Sequence, residues 1–244
     1  MKAGSAQFSV FRVDGFDLLP AKLQTATYKI TVPLEMTAGL GDRWEEHTPT
    51  GLRRVTITQT GAYFDTRQNM IHDVFKDTPL TARELVLAPA GDVPGSPLIT
   101  ATGAFNASYD VLAKNAALTK ANVTYVISGS VTESVLVQAP TVHASTWANE
   151  TIPALVVDRG AATAGGGVAY QQAVDVTGLT GFVGTIRHSP DGVVWADLIA
   201  FPNLTAAGPP SALAITGTID RYVSFSGTLA GTGTIRVVAS LKRN

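Results

Sequence analysis

Cysteine is absent from the 244-residue sequence, which excludes a disulfide framework, a zinc–thiolate centre and a cysteine nucleophile. A chain of this length needs no covalent staples, and the absence fits a reducing compartment. Charge is scarce too: 15% of residues are charged, against the usual quarter, and the formal net charge is −1. No global field is therefore available to recruit nucleic acid or a membrane surface. No apolar run reaches the roughly 18 residues that a spanning helix needs, and the N-terminal stretch lacks the apolar core of a signal peptide. The expectation is a soluble protein made in the cytoplasm.

The patterns of catalysis are missing as well. His47, His72, His143 and His188 fall in a loop, a helix, a linker and a strand end, with no spacing that places two together as metal ligands. His72, on the polar side of its helix, reads as a solvated residue. No GxSxG, GxGxxG or GxxxxGK[ST] stands in a strand–turn–helix context. Gly165-Gly166-Gly167 precedes a strand, so the helix N-terminus that would hold a phosphate is lacking. Trp44, Trp147 and Trp195 are scattered and form no stacking platform for nucleic acid. The chain is expected to be no enzyme and to hold no cofactor or metal.

What is present is β patterning. Residues 24–36 read as a strand with Tyr28, Ile30 and Val32 on one face, and Pro33 marks an edge or a bulge. Residues 39–51 are charged and rich in turn formers. They lead into the alternating strand of residues 52–60, which ends in a Gly-aromatic corner at Gly61. The one convincing helix spans about 66–77, with Met70, Ile71, Val74 and Phe75 on one stripe to cover a sheet. Further strands are expected at 83–88, 100–111 and, as one long run with a bend at Gly129, 123–138. Residues 139–167 gather Pro140, Pro153 and the glycines 160 to 167, which mark a linker. Short strands then recur at 168–176, 182–188, 193–201, 213–219, 221–225 and 234–241, the spacing of a small antiparallel sandwich.

Two groups carry the candidate sites. Asp42, Glu45 and Glu46 stand beside Trp44. They read either as a carboxylate pair or cation site, or as a solvated loop whose charges pair with Arg43, Arg53, Arg54 or a neighbouring subunit. The second is favoured, because a loop lacks the rigid support that catalysis needs. In Ser189-Pro190-Asp191-Gly192-Val193-Val194-Trp195, Pro fixes φ and Gly supplies a positive φ, the chemistry of a tight hairpin turn. This run resembles the Asp-box turn of sialidases and related β-propellers, less one residue between Asp and Gly. Trp195 reads as a packing residue, with sugar binding as the functional alternative.

Taken together, the stretch GLGDRWEEHTPTGLRRVTITQTGAYFD, the strand VTYVISGSVTESVLV, and the runs GFVGTIRHSPDGVVWADLIAF and ITGTIDRYVSFSG give the chain a family likeness. It resembles the major tail (tail tube) proteins of long, non-contractile-tailed phages over nearly its whole length. The resemblance implies an all-β protein with one flanking helix. Residues 1–138 would form a tail-tube β-sandwich or barrel domain, with an inter-ring loop at about 38–52. Residues 139–167 would be a linker containing the start of the next domain, and 168–244 a small Ig-like β-sandwich that decorates the tube. It further implies stacked, hexameric rings in the virion tail, around a tape-measure protein and capped by tail terminator and tail-tip proteins. The lumen would pass DNA without specific binding. Asp42, Arg43, Trp44, Glu45, Glu46, Arg53 and Arg54 would then be ring-interface residues. The alternative is a capsid-decorating or surface carbohydrate-binding β-sandwich protein.

Overall fold

The computed structural model describes residues 10–13, 16–17, 23–36, 47–49, 51–64, 72, 75–76, 82–113, 117–208 and 210–244. In chain order the strands are β1 (Val10–Val13), β2 (Phe16–Asp17), β3 (Thr25–Thr31), β4 (Leu34–Met36), β5 (His47–Pro49) and β6 (Arg54–Tyr63). Next come β7 (Arg83–Ala88), β8 (Pro97–Leu112), β9 (Lys120–Ile127), β10 (Val131–Gln138), β11 (Val142–His143) and β12 (Trp147–Ala148). The last five are β13 (Val157–Asp158), β14 (Gly167–Ser189), β15 (Ala196–Ala200), β16 (Ser211–Ile215) and β17 (Tyr222–Arg243). The protein is all-β, and every register resolved between named strands is antiparallel.

Two compact units form. One comprises residues 20–83 and 102–131, the other 1–19, 84–101 and 132–244. The expected limits at 138 and 168 both fall inside the second unit, where β10 pairs with β17.

In the first unit β3 pairs with β6, β6 with β9, and β9 with β8. Alternation puts Ile57, Val123 and Tyr125 on a fully buried face. Strand β6 does not end in a corner before Gly61. It continues to Tyr63 through a bulge between Gln59 and Ala62. Gly61 takes φ 78° there and its N–H donates to Asn122 Oδ1 at 2.9 Å, so the positive-φ residue makes a bulge where a turn was expected.

The expected helix lies mostly outside the described residues. His72 and Phe75 are helical, and the Lys76 N–H donates to the His72 carbonyl at 2.9 Å. Phe75 is buried with its ring centroid 6.0 Å from those of Tyr109 and Tyr125, so this turn covers the sheet. His72 is not solvated: Nδ1 lies 2.9 Å from the Tyr109 hydroxyl and its ring lies 4.7 Å from that of Phe64.

The run 123–138 is two strands, with the break at Gly129. The backbone there meets Thr102-Gly103: Thr102 N–H donates to the Ser130 carbonyl and Ser128 N–H to the Gly103 carbonyl, each at 2.9 Å. A Cβ on Gly129 would strike the Thr102 carbonyl, and Gly103 has φ 63°. This close approach requires glycine at both positions.

The second unit is organised by β14 and β17, which pair from Gly167↔Arg243 to Ser189↔Tyr222. The strands expected at 168–176 and 182–188 are one continuous strand, as are those at 221–225 and 234–241. Register shifts cluster between Ala173 and Gly181, opposite Gly231 and Gly233. Gln171 and Gly184 would stand roughly 40 Å apart on a straight strand. Yet a Cβ on Gly184 would collide with the Gln171 amide, so the strand bends back at its glycines. In its main buried cluster Ala169, Ala173, Phe182 and Ile186 from β14 meet Val223, Phe225, Ile235, Val237 and Leu241 from β17, and Val86, Ala88, Leu98, Leu136 and Val238 form a second cluster.

Candidate functional site

Of the expected ring-interface residues, Asp42, Arg43, Trp44, Glu45 and Glu46 lie outside the described residues. Arg53 and Arg54 are described and exposed, and Arg54 opens β6 opposite Thr31. They stand at one end of β3, which pairs only with β6 among the described residues. Among the described residues this puts β3 at the edge of its sheet.

Past Pro33 the chain continues into β4, which pairs with β5 from Leu34↔Pro49 to Met36↔His47. The face expected to carry Ile30 and Val32 continues past Pro33 through Leu34 and Met36, and these four residues are 46%, 37%, 60% and 60% exposed, with Leu52 91% exposed. Monomeric proteins break such rows with charge, and here only Lys29 and Glu35 interrupt the apolar line. The period-two pattern running unbroken across Pro33 was the available signal. Periodicity reports a strand and not what covers it.

The hairpin turn at Ser189 is built by side chains. Asp191 Oδ1 accepts from the N–H groups of Val193 (2.8 Å) and Val194 (2.9 Å) and from the Ser189 hydroxyl (2.9 Å). Ser189 Oγ accepts from the Gly192 N–H at 2.9 Å, and Gly192 has φ 78°. These hydrogen bonds hold the Asp191 carboxyl below the usual carboxylate range, those from Val194 and Val193 most strongly. Trp195 is half-buried, and its carbonyl accepts from Arg187 Nη2 at 3.2 Å. The same guanidinium binds Asp197 (2.9 Å) and Glu150. The turn is a self-capped element held by its own side chains.

No protein-family description matches the chain, and no curated protein matches it. Several solved structures are similar to parts of it. The tail of an empty gene transfer agent particle, refined with C6 symmetry, is 14% identical over 45% of this chain and 80% of that chain, with a TM-score of 0.35. The virion of a native gene transfer agent particle is 12% identical over 54% and 98%, with a TM-score of 0.41. The SPP1 Dit protein, described as a paradigm of the hub adsorption apparatus in phages infecting Gram-positive bacteria, is 11% identical over 96% and 100%, with a TM-score of 0.33.

The expected linker is built into the second unit, through strands β11 to β13 laid against β17. His143 stacks on Trp147 with centroids 3.6 Å apart and planes 9° apart. Its Nε2 faces the Thr141 hydroxyl at 2.8 Å and the Gln138 amide nitrogen at 3.3 Å. Burial pushes the His143 pKa below its ordinary value, and a proton on Nε2 would meet the Gln138 donor. The unfolded chain therefore takes up this proton first, and stability falls as pH drops through and below 6.5. Melting temperature is expected to fall less between pH 7.5 and 5.5 in His143→Gln than in the parent protein. Equal falls would show that His143 does not titrate this way.

Asp158 binds Arg221 through two hydrogen bonds, of 2.8 and 2.7 Å, and accepts from the Gly160 N–H at 2.8 Å. The Arg221 hydrogen bond is the largest of the causes that pull its pKa down to about 2. Among the described residues no group of three or more acidic or histidine side chains is placed to hold a metal ion, and no helix is long and apolar enough to cross a membrane.

Proposed function

We propose that this chain is a structural subunit of a phage tail tube, assembling through the β3 edge into stacked rings. The observation that carries this reading is the exposed apolar row of Ile30, Val32, Leu34 and Met36, which runs on from a strand that lies, among the described residues, at the edge of its sheet. A subunit that repeats head to tail supplies such an edge with a strand from its neighbour, and a closed rotation then gives a ring. The resemblance over residues 39–65 supports the same reading, as does a net charge near zero in a conduit that passes DNA without gripping it.

In this reading the rings are hexameric, enclose a tape-measure protein, and meet terminator and tip proteins at the tube ends. The assembly edge belongs to the unit of residues 20–83 and 102–131. Residues 168–244 decorate the virion tail. The subunit is no enzyme, and its chemistry is that of a repeated contact.

Purified protein is expected to form rings or tubes by negative-stain electron microscopy, with helical order in the tubes. Ile30→Asp places a charge on the exposed row and is expected to abolish assembly while leaving the melting temperature of the subunit within a few degrees. A parent protein that stays monomeric at high concentration would sink the proposal. So would an Ile30→Asp variant that assembles like the parent.

A further inference from the structure

Strands β3, β6, β9 and the later part of β8 build one sheet in the first unit, and its two faces are unlike. Residues directly opposite on paired strands share a face. Tyr28, Ile57 and Tyr125 stand in register on one face. Ile57 and Tyr125 are fully buried there, and Phe75 packs over Tyr125. This is the covered face of the sheet.

The other face is set by the same registers, one residue along. Thr27, Thr58, Thr124 and Ser108 form a row across all four strands, with Thr25 and Thr60 next to it. These six residues are half-buried or exposed. The middle row is hydroxyl from one side of the sheet to the other. Charges on this face stand at its margins: Lys29 on β3, Asp110 on β8, and Arg54 and Lys120 at the ends of β6 and β9.

We propose that this threonine face lines the lumen of the tube and is the surface past which the DNA phosphate backbone moves. The inference rests on the tail-tube reading. Rings that close through the β3 edge carry the sheet round an axis, and a closed sheet has an inner and an outer face. The helical turn at Phe75 adds a layer to the covered face. That layer needs the longer arc, which is the outer one, so the threonine face turns inward. Its chemistry suits the position. A hydroxyl donates to and accepts from water and donates to a phosphate oxygen, but it neutralises no phosphate charge and releases no counterion. A duplex therefore meets a wetted wall that holds it weakly.

The chain has no cysteine, so a single thiol can be placed at a chosen position. Thr58→Cys and Thr124→Cys put it on the proposed wall, and Val193→Cys, at a position 79% exposed in the second unit, is the control. Each variant is labelled with a small mercurial, assembled, and imaged by cryo-electron microscopy with helical averaging. In difference maps against parent tubes, mercury is expected on the lumen side for both threonine positions. Assembled tubes of both are also expected to react with a small maleimide and to lose nearly all reaction with a polymer-linked maleimide too bulky to enter. Val193→Cys is expected to react with both reagents. Labelling after assembly gives the same reading for a variant whose mercury adduct does not polymerise. Tubes with mercury on the outer surface, or tubes in which the polymer reagent reaches both threonine positions, would overturn this assignment alone. Protection from both reagents, the mark of a subunit interface, would do the same. A parent protein that forms no tube would overturn the assignment together with the reading it rests on.

Discussion

Phe182→Ala is expected to lower the unfolding free energy of the second unit by about 3–5 kcal/mol, the cost of truncating a buried aromatic that leaves a cavity. Phe182 is fully buried. Its ring stacks with Trp147 at 5.6 Å and 9°, which places it between β14 and the segment carrying β12. Its backbone N–H and C=O exchange hydrogen bonds of 2.8 Å with Leu204, so the strand does not depend on the side chain. The surrounding core is bounded by paired strands on both halves of β14 and cannot collapse into the space. Urea unfolding followed by tryptophan fluorescence measures the loss, because Trp147 reports the stack. A loss under about 1 kcal/mol would show that Phe182 is not the keystone its burial implies.

Gln138→Ala comes next in size, with an expected cost of about 2–4 kcal/mol. Gln138 is 2% exposed at the end of β10. Its Oε1 accepts from Asn149 Nδ2 at 2.8 Å and Trp147 Nε1 at 3.3 Å, and its amide donates to the Ala139 carbonyl at 2.6 Å. Asn149 is itself buried, so removing the acceptor strands its amide without water. The double variant Gln138→Leu with Asn149→Leu removes both partners and is expected to recover part of the loss. Additive losses in that cycle would mean the two amides are not coupled. The residue also explains why 139–158 is ordered: one side chain ties the start of that segment to its middle.

Several elements were plain in the sequence. Strand β7 occupies the residues its composition marked, 83–88, because a short apolar run bounded by proline and turn formers admits little else. Pro33 was read as marking an edge or a bulge, and it follows β3, which lies at the edge of its sheet among the described residues. Of the stripe expected on the helix, Phe75 is described, and it packs on the sheet against Tyr125. What stayed hidden depends on partners distant in the chain. Gly129 shows locally as a break, but its cause is the backbone of Thr102 on another strand. Likewise the glycines near 178 and 231 read as ends of strands, when they are bends within strands that continue.

The candidate sites divide the same way. The Ser189–Trp195 turn was legible because its capping is local, between residues two or three apart. The exposed row on β3 was legible as a pattern and not as a surface. The acidic cluster at 42–46 lies outside the described residues.

The central place of β17 has a consequence for the timing of synthesis. Strands β10, β11, β12, β13 and β14 all pair with it, yet it is translated after every one of them. Residues 20–131 contain everything their own unit needs, and that unit can close while the ribosome is still working. Residues 1–19 and 84–101 belong to the other unit and must wait until residues 222–243 emerge. At ordinary elongation rates that interval is on the order of ten seconds, during which β7 and the first part of β8 lack the neighbours that complete their core. A chaperone that shields nascent apolar strands would find its longest-lived substrate there.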